Sequence, residues 1–162
     1  MRLLQNGTEV YGVSENIIIK SKCFKEFDFQ VNTLIKGEKL ENILSINVVV
    51  LVGEIGIIKT PIKISSEGMY LSGYKLKVEL IIDMKMKFMT NSCRNNIGVK
   101  SNKIVKVIYI VVPLEHSGES MVDILRKKRV DINTYIEDIY CEVRNYNVIY
   151  TNIAAIVTAN FN

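Results

Sequence analysis

The chain has 162 residues, 48% of them hydrophobic, and a formal net charge of +4 at pH 7, which suits one domain with a sizeable core. Its longest apolar runs, such as residues 48–52, have the length of a strand and fall far short of a membrane-spanning helix. The densest basic run, residues 126–129, has no interleaved aromatic side chains and does not favour nucleic-acid binding.

Residues 1–22 are less regular than the rest and are predicted to form an N-terminal arm, followed by one β domain over residues 23–162. Residues 8–13 fit a short strand. The arm either packs on its own domain or reaches a neighbouring subunit. The first residues contain no signal-peptide core, so we expect the protein to stay on the side of the membrane where it is made. The candidate interface residues of the arm are Val10, Tyr11, Val13, Ile17, Ile18 and Ile19.

The next segments alternate apolar and polar side chains, as strands do, with one exception. Residues 27–31 alternate clearly. Ile46, Val48, Val50 and Val52 form a β-branched strand that is apolar on both faces near its middle, which predicts a central strand. Between them, Leu40, Ile43 and Leu44 have helical spacing and predict a short helix over residues 38–44. Gly53 and Gly56 indicate a bulge or turn in the strand.

Residues 74–88 have the clearest pattern of period two. The even positions are apolar, and most odd positions carry a Lys, Glu or Asp side chain. Successive side chains of a strand point to opposite faces, so this segment has one buried face and one solvent-exposed face. A bend or bulge is expected near Ile81, because this position on the solvent-exposed face holds an apolar side chain.

The last third of the chain predicts three more strands and a second short helix. Strands are expected over residues 103–112, 130–143 and 148–161, with a shift of phase near residues 135–136 and a turn at residues 145–147. The helix covers residues 119–126 and ends in the basic run, as the helix dipole favours. The predicted fold is therefore all-β, a sandwich or partly open barrel of seven to nine long, mostly antiparallel strands with two short helices.

No catalytic, cofactor or metal site is predicted. The three cysteines, Cys23, Cys93 and Cys141, match no zinc spacing, and His116 is the one histidine. A serine or cysteine nucleophile usually needs a nearby base, and His116 lies in a polar loop. Glu137 and Asp138 are adjacent in a strand and point to opposite faces, which disfavours a paired-carboxylate site. Cys93, between polar residues, is a candidate for an exposed thiol that cross-links subunits.

Eight segments resemble the SPOCS-domain family of spore-coat morphogenetic proteins from spore-forming Firmicutes. The resemblance covers roughly residues 8 to 161, and residues 135–140 are its most specific part. Residues 35–39 lack the proline that the family often has before its Ile-Leu pair, and the loop of residues 90–101 is unlike the family. The matching segments are residues 10–15 (VYGVSE), 39–46 (KLENILSI), 59–62 (KTPI), 66–68 (SEG), 71–76 (LSGYKL), 109–114 (YIVVPL), 123–126 (DILR) and 135–140 (YIEDIY).

The resemblance implies a role in assembling the spore envelope without enzymatic activity. We therefore expect a structural protein of the coat, the exosporium or a surface appendage. It would be made in the mother-cell cytoplasm and deposited on the spore surface layers. Its expected partners are copies of itself and other envelope proteins, held through strand edges and the arm. The alternatives are an adaptor that binds another coat protein or a cell-wall glycan, and an enzyme with an unfamiliar site at His116 and Glu137.

Overall fold

The computed structural model describes residues 7–37, 39–64, 66, 68, 70–91 and 96–162, and the backbone of residues 2–5. These residues form ten strands and one helix. The elements are β1 (Arg2–Gln5), β2 (Thr8–Tyr11), β3 (Cys23–Leu34), β4 (Leu40–Ile64), β5 (Tyr70–Thr90), β6 (Asn96–Val112), β7 (Glu115–His116), β8 (Glu119–Ser120), α1 (Met121–Arg126), β9 (Val130–Arg144) and β10 (Val148–Phe161).

The long strands form two sheets that share one apolar core. The large sheet has the order β1-β2-β4-β5-β6 and the small sheet the order β3-β10-β9, while β7 and β8 form a separate hairpin. All paired neighbours are antiparallel except β2 and β4, which run parallel over residues 9–11 and 45–47. The described strands close no barrel. The predicted all-β, sandwich-like fold with mostly antiparallel strands is therefore confirmed.

The core lies between the two sheets, and β5 supplies its largest share. Every even position of β5 from Leu76 to Phe88 is buried, and the odd positions between them are partly or fully exposed. The predicted alternation is thus confirmed along this strand. Burying each of these large side chains contributes roughly 1.5–3 kcal/mol. The part of the core shared most evenly by both sheets contains Ile82, Met84, Met86, Ile139, Ile149 and Ile153.

One predicted helix is confirmed and the other is wrong. Helix α1 lies inside the predicted range, and its Met121 and Ile124 side chains close one end of the core. Residues 40–44 instead begin β4. Register shifts lie between Leu40 and Asn42 and between Ile43 and Ser45. Each bulge inserts one residue, so inward-facing side chains recur after three positions and imitate helical spacing.

Bulges also mark the middle of the sandwich. The pairing of β4 with β5 shifts between Val52 and Ile55, which confirms the bulge predicted at Gly53. The bend expected in β5 near Ile81 is not seen as a register shift against β6, because those strands pair continuously from Tyr74 to Thr90. The irregularity lies in the neighbouring strand β4 instead. In β9, the phase shift predicted near residues 135–136 falls at Glu137, the extra residue between Ile136 and Asp138.

The predicted turn at residues 145–147 joins β9 to β10. Asn145 and Tyr146 have φ values of 49° and 62°, in the left-handed region, within a three-residue loop between the paired residues Arg144 and Val148. Asn tolerates this conformation better than most residues, because its short polar side chain forms local hydrogen bonds. Asn145 therefore suits the backbone conformation that it adopts.

The first half of the N-terminal arm belongs to the sandwich. Strand β2 lies beside β4, and its Val10 side chain is fully buried while Val13 is 7% exposed. Gly12 has a φ of +111°, and a Cβ atom at this position would overlap the carbonyl oxygen of Val48. A glycine is needed here because only it allows both this backbone and this close approach. The arm was expected either to pack on its own domain or to reach a neighbouring subunit. Val10 and Val13 pack on their own domain.

Candidate assembly surfaces

The outward face of the large sheet carries an uncovered apolar row. The register places Leu51, Ile81 and Val105 side by side on β4, β5 and β6. Leu51 is 50% exposed and Val105 is 55% exposed, and the row continues along β6 with Val107 and Tyr109. Single exposed apolar residues are ordinary, whereas a contiguous row on a sheet face marks a contact surface. We call these five residues the outer stripe.

Two long edges of the large sheet are unpaired within the described chain. Strand β6 ends the sheet, and beyond Asn47 no described strand pairs with β4 on the side away from β5. On β6, Lys100 and Lys106 lie in register with the inward-facing Met86 and Leu80. Inward-pointing lysines on an edge strand discourage unregulated pairing with another chain.

The edge of β4 is less protected than that of β6. Residues 48–58 contain one charged side chain, Glu54, which lies in the bulge. Near the middle of this edge, the Thr134 hydroxyl of β9 donates a hydrogen bond to the Val50 carbonyl at 3.4 Å. The prediction of assembly through strand edges therefore has its better candidate in the part of β4 beyond Val50.

The hairpin formed by β4 and β5 projects past the end of β6. Pairing of β5 with β6 starts at Tyr74, so residues 62–64 and 70–72 pair only with each other among the described strands. Ile62, Ile64 and Tyr70 on this extension are all well exposed. A two-stranded hairpin is marginally stable by itself, and its exposed apolar side chains add a second place where another molecule can pack.

The arm residues proposed as an interface divide into two groups. Val10 and Val13 lie in the core of their own chain, so in this conformation they present no surface, and Tyr11 is partly buried. Their selection rested on apolar character, which core and interface residues share. Ile18 and Ile19 are exposed and Ile17 is partly exposed. Whether these three side chains contact another subunit stays a prediction.

The two described cysteines, Cys23 and Cys141, form no disulfide with each other. Cys93, the proposed cross-linking residue, lies outside the described residues, and its role stays a prediction. Cys23 and Cys141 are both free and partly buried. Burial raises the pKa of Cys23 above its ordinary value and that of Cys141 to about 11. Because the thiolate is the reactive form, neither thiol is chemically activated.

The residues considered for catalysis lie in separate places. His116 is exposed in the β7–β8 hairpin, with its ring centroid 5.6 Å from that of Phe161. Glu137 is exposed at the bulge of β9. Within the described ranges, no three His, Cys, Asp or Glu side chains lie close enough together to hold a metal ion. The described helix has six residues and is too short to cross a membrane.

Part of the basic run has a structural role. Glu119 accepts hydrogen bonds from Arg129 and from Lys127, and these bonds hold its pKa below the ordinary value. Arg126 contacts Asp123 within the helix at 3.3 Å. Three of the four basic side chains are therefore engaged in ion pairs, and the two pairs with Glu119 join β8 to the segment between α1 and β9.

No family model, no curated protein and no solved structure matches this chain. The resemblance to the SPOCS domain therefore remains a hypothesis drawn from the residues quoted above. The structural candidate for function is the outer stripe, which sequence reasoning did not identify. The apolar interruption at Ile81 was the available signal but was interpreted as a bend or bulge, and Val105, Val107 and Tyr109 continue the stripe at alternate positions of β6.

Proposed function

We propose that this chain is a non-enzymatic structural protein of a bacterial spore envelope that assembles with copies of itself and with neighbouring envelope proteins. The observation that carries the self-assembly is the outer stripe, an uncovered apolar row next to unpaired strand edges. Covering such a surface removes apolar area from water, which favours association. The free part of the β4 edge and Ile17–Ile19 of the arm are further candidate contacts.

The envelope location rests on the segments that resemble the SPOCS domain. It is tested by labelling spore sections of the source organism with gold-tagged antibodies against the purified chain. We expect label over the coat, the exosporium or an appendage. Label confined to the vegetative cytoplasm would contradict the location and leave self-assembly to be judged separately.

Self-assembly is tested on the purified full chain by sedimentation velocity over a concentration series and by negative-stain electron microscopy. We expect sedimentation coefficients that rise with concentration, and ordered filaments or sheets. Val105→Asp places a charge in the outer stripe and should shift assembly to higher concentration. Tyr146→Asp is the matched control, because Tyr146 is exposed at the β9–β10 turn, away from the stripe.

The arm is tested separately with Ile18→Asp in the same measurements. A loss of assembly in this variant would place the arm in the interface, and unchanged assembly would remove the arm from it. A wild-type chain that stays monomeric at every concentration contradicts self-assembly. In that case, retention of the monomer by isolated cell-wall material or by one coat protein would favour the adaptor alternative.

A further inference from the structure

The outward faces of the two sheets carry opposite charge. The odd positions of β5 and β6 point away from the core. They place five lysines and two acids on the outside of the large sheet, which gives a net charge of +3 on these two strands. We call this side the basic face. Its charged residues on β5 and β6 are Lys75, Lys77, Glu79, Asp83, Lys85, Lys87 and Lys103, and Glu9 of β2 lies on the same side beside Lys85 and Lys87.

The small sheet has the reverse pattern on its outward side. Ile149, Ile153 and Val157 of β10 point inward, so the even-numbered residues of β10 point outward. The residues of β3 and β9 that pair with these even-numbered residues point outward as well. On β3 and β9 these positions hold five acids and one arginine, a net charge of −4, and β10 contributes no charge. We call this side the acidic face. Its charged residues are Glu26, Asp28, Asp131, Asp138, Glu142 and Arg144.

Several of these charges have no partner within the described chain. Lys85 and Lys87 on the basic face and Glu26 and Asp28 on the acidic face form no hydrogen bond or ion pair with any described residue, and all four are exposed. The two faces point in opposite directions with the core between them, so their charges cannot meet inside one molecule. Each face repels the same face of another copy and attracts a surface of opposite charge.

Both faces also offer apolar contact. The basic face includes the outer stripe, with the row of Leu51, Ile81 and Val105 at its middle. The acidic face includes the exposed Tyr140 and Phe24 side chains on its two edge strands. Between these strands, Ala154 lies in register with Asp28 and Asp138 and is partly exposed, whereas Tyr150, Ile156 and Thr158 at other outward positions of β10 are buried. A second sheet face can approach this side closely at Ala154, where the central side chain is small.

We infer that the basic face of one copy packs on the acidic face of the next copy. This inference rests on the proposed self-assembly and names its interface. The two surfaces differ, so the contact is heterologous and leaves one face free at each end of the growing stack. Packed sheets lie about 10 Å apart, and each copy adds two layers. The stack should therefore show an axial repeat of about 20 Å.

Charge reversal tests the interface. Lys85→Glu with Lys87→Glu changes the net charge that β5 and β6 give the basic face from +3 to −1, and Glu26→Lys with Asp28→Lys changes that of the acidic face from −4 to 0. In either variant alone, the attraction between faces of opposite charge is lost, and we expect the concentration needed for assembly to rise about tenfold or more. In an equimolar mixture, the unchanged basic face of one variant meets the unchanged acidic face of the other, so these contacts again join opposite charges. We expect the two variants to associate with each other at concentrations where neither associates with itself.

The quadruple variant controls for net charge. Each Lys→Glu change lowers the formal charge by two and each acid→Lys change raises it by two, so the wild-type value of +4 becomes 0, +8 and again +4 in the quadruple variant. Loss of net charge by itself promotes precipitation, whereas the inferred interface predicts weaker assembly for the variant of charge 0. The quadruple variant keeps the wild-type net charge but lacks the opposite charge of the two faces, so it should assemble as weakly as the double variants. Far-UV circular dichroism and a urea titration establish that each variant folds.

The outcomes separate this inference from the proposed function. Wild-type assembly that survives in both double variants overturns the stacked faces and leaves self-assembly through edges or arm standing. A wild-type chain that never assembles overturns both. Salt supplies an independent readout, because 0.5 M NaCl shortens the screening length to about 4 Å and should weaken contacts between charged faces. Assembly that strengthens with salt contradicts the inference.

Discussion

Ser14 and Ile136 exchange two hydrogen bonds that join the N-terminal arm to the small sheet. The Ser14 amide donates to the Ile136 carbonyl at 2.8 Å, and the Ile136 amide donates to the Ser14 hydroxyl at 3.0 Å. The contact lies beside the Glu137 bulge of β9. At this point the chain leaves the large sheet and starts toward β3 on the opposite edge of the small one, so the pair fixes where the two sheets are connected.

Ser14→Ala should destabilise the fold, because it leaves the Ile136 amide without its partner. An unsatisfied partly buried donor costs about 1–3 kcal/mol. The free energy of unfolding, measured by urea titration, should fall by about that amount. Ser66→Ala, at an exposed position of the β4–β5 connection, is the control and should change it little. Equal values for the two variants would show that the hydrogen bond contributes nothing measurable.

Gly12→Ala should cost more than Gly7→Ala. Both glycines have positive φ, 111° for Gly12 and 82° for Gly7, so both variants carry backbone strain of about 1–2 kcal/mol. A Cβ atom at Gly12 also overlaps the Val48 carbonyl, while a Cβ at Gly7 has no atom within 4 Å. We expect Gly12→Ala to displace β2 from β4 and to lower the urea midpoint clearly below that of Gly7→Ala. The same midpoint in both variants would argue against this close approach.

Glu119 should contribute a pH-dependent part of the stability. Hydrogen bonds from Arg129 and Lys127 hold its pKa below the ordinary value of 4.5, so the folded chain binds this proton less readily than the unfolded chain. The contribution is therefore complete above about pH 4.5 and is lost as the pH falls through the lowered pKa.

Urea titrations from pH 7 to pH 3 compare the wild type with Glu119→Gln, and the gap between them should narrow toward the acid end. Glu137→Gln serves as the control, because its carboxylate has no partner among the described residues. A gap of constant size across the pH range would mean that the charge of Glu119 is not what stabilises this end of the sandwich.

Cys141 should resist alkylation in the folded protein. Its pKa of about 11, against an ordinary value of 9.0, leaves roughly a hundredfold less thiolate at pH 8. Cys23 should also react slowly, because burial raises its pKa. Iodoacetamide labelling followed by peptide mass spectrometry measures each rate, with the urea-unfolded chain as reference. Equal rates in the folded and unfolded chains would contradict the burial of Cys141.

Cys93 is expected to behave differently if it cross-links subunits. Assembled wild-type protein should then show disulfide-linked dimers on non-reducing gels, and Cys93→Ser should remove them. Cys23→Ser is the matched control, since it deletes a partly buried thiol and should leave the dimers in place. Dimers that persist in the Cys93→Ser variant would assign the cross-link to another cysteine.

Prediction from sequence succeeded where the pattern is local. The alternation from Leu76 to Phe88, the helix that ends in the basic run and the turn at residues 145–147 each follow from side chains a few positions apart. It failed at residues 40–44, because two bulges insert residues and shift the inward-facing positions from every second to every third. A bulge depends on the partner strand, and the sequence of one strand does not contain that information.

The candidate surfaces also depend partly on local sequence and partly on contacts between distant segments. The apolar interruption at Ile81 could be recognised in the sequence, but its neighbours Leu51 and Val105 lie far from it along the chain and meet it only through strand register. The arm residues show the opposite case, because Val10 and Val13 look like interface residues until β2 is placed beside β4.

By itself, the sequence determined that this chain forms long strands with one apolar and one polar side, since that pattern depends only on the two-residue repeat of an extended backbone. Only the tertiary structure decided which polar side chains share one outer face of the sandwich. Lysines predominate on the outward side of β5 and β6 and carboxylates on that of β3 and β9, because hydrogen-bonded register, bulges and strand order set the neighbours of each side chain across a sheet.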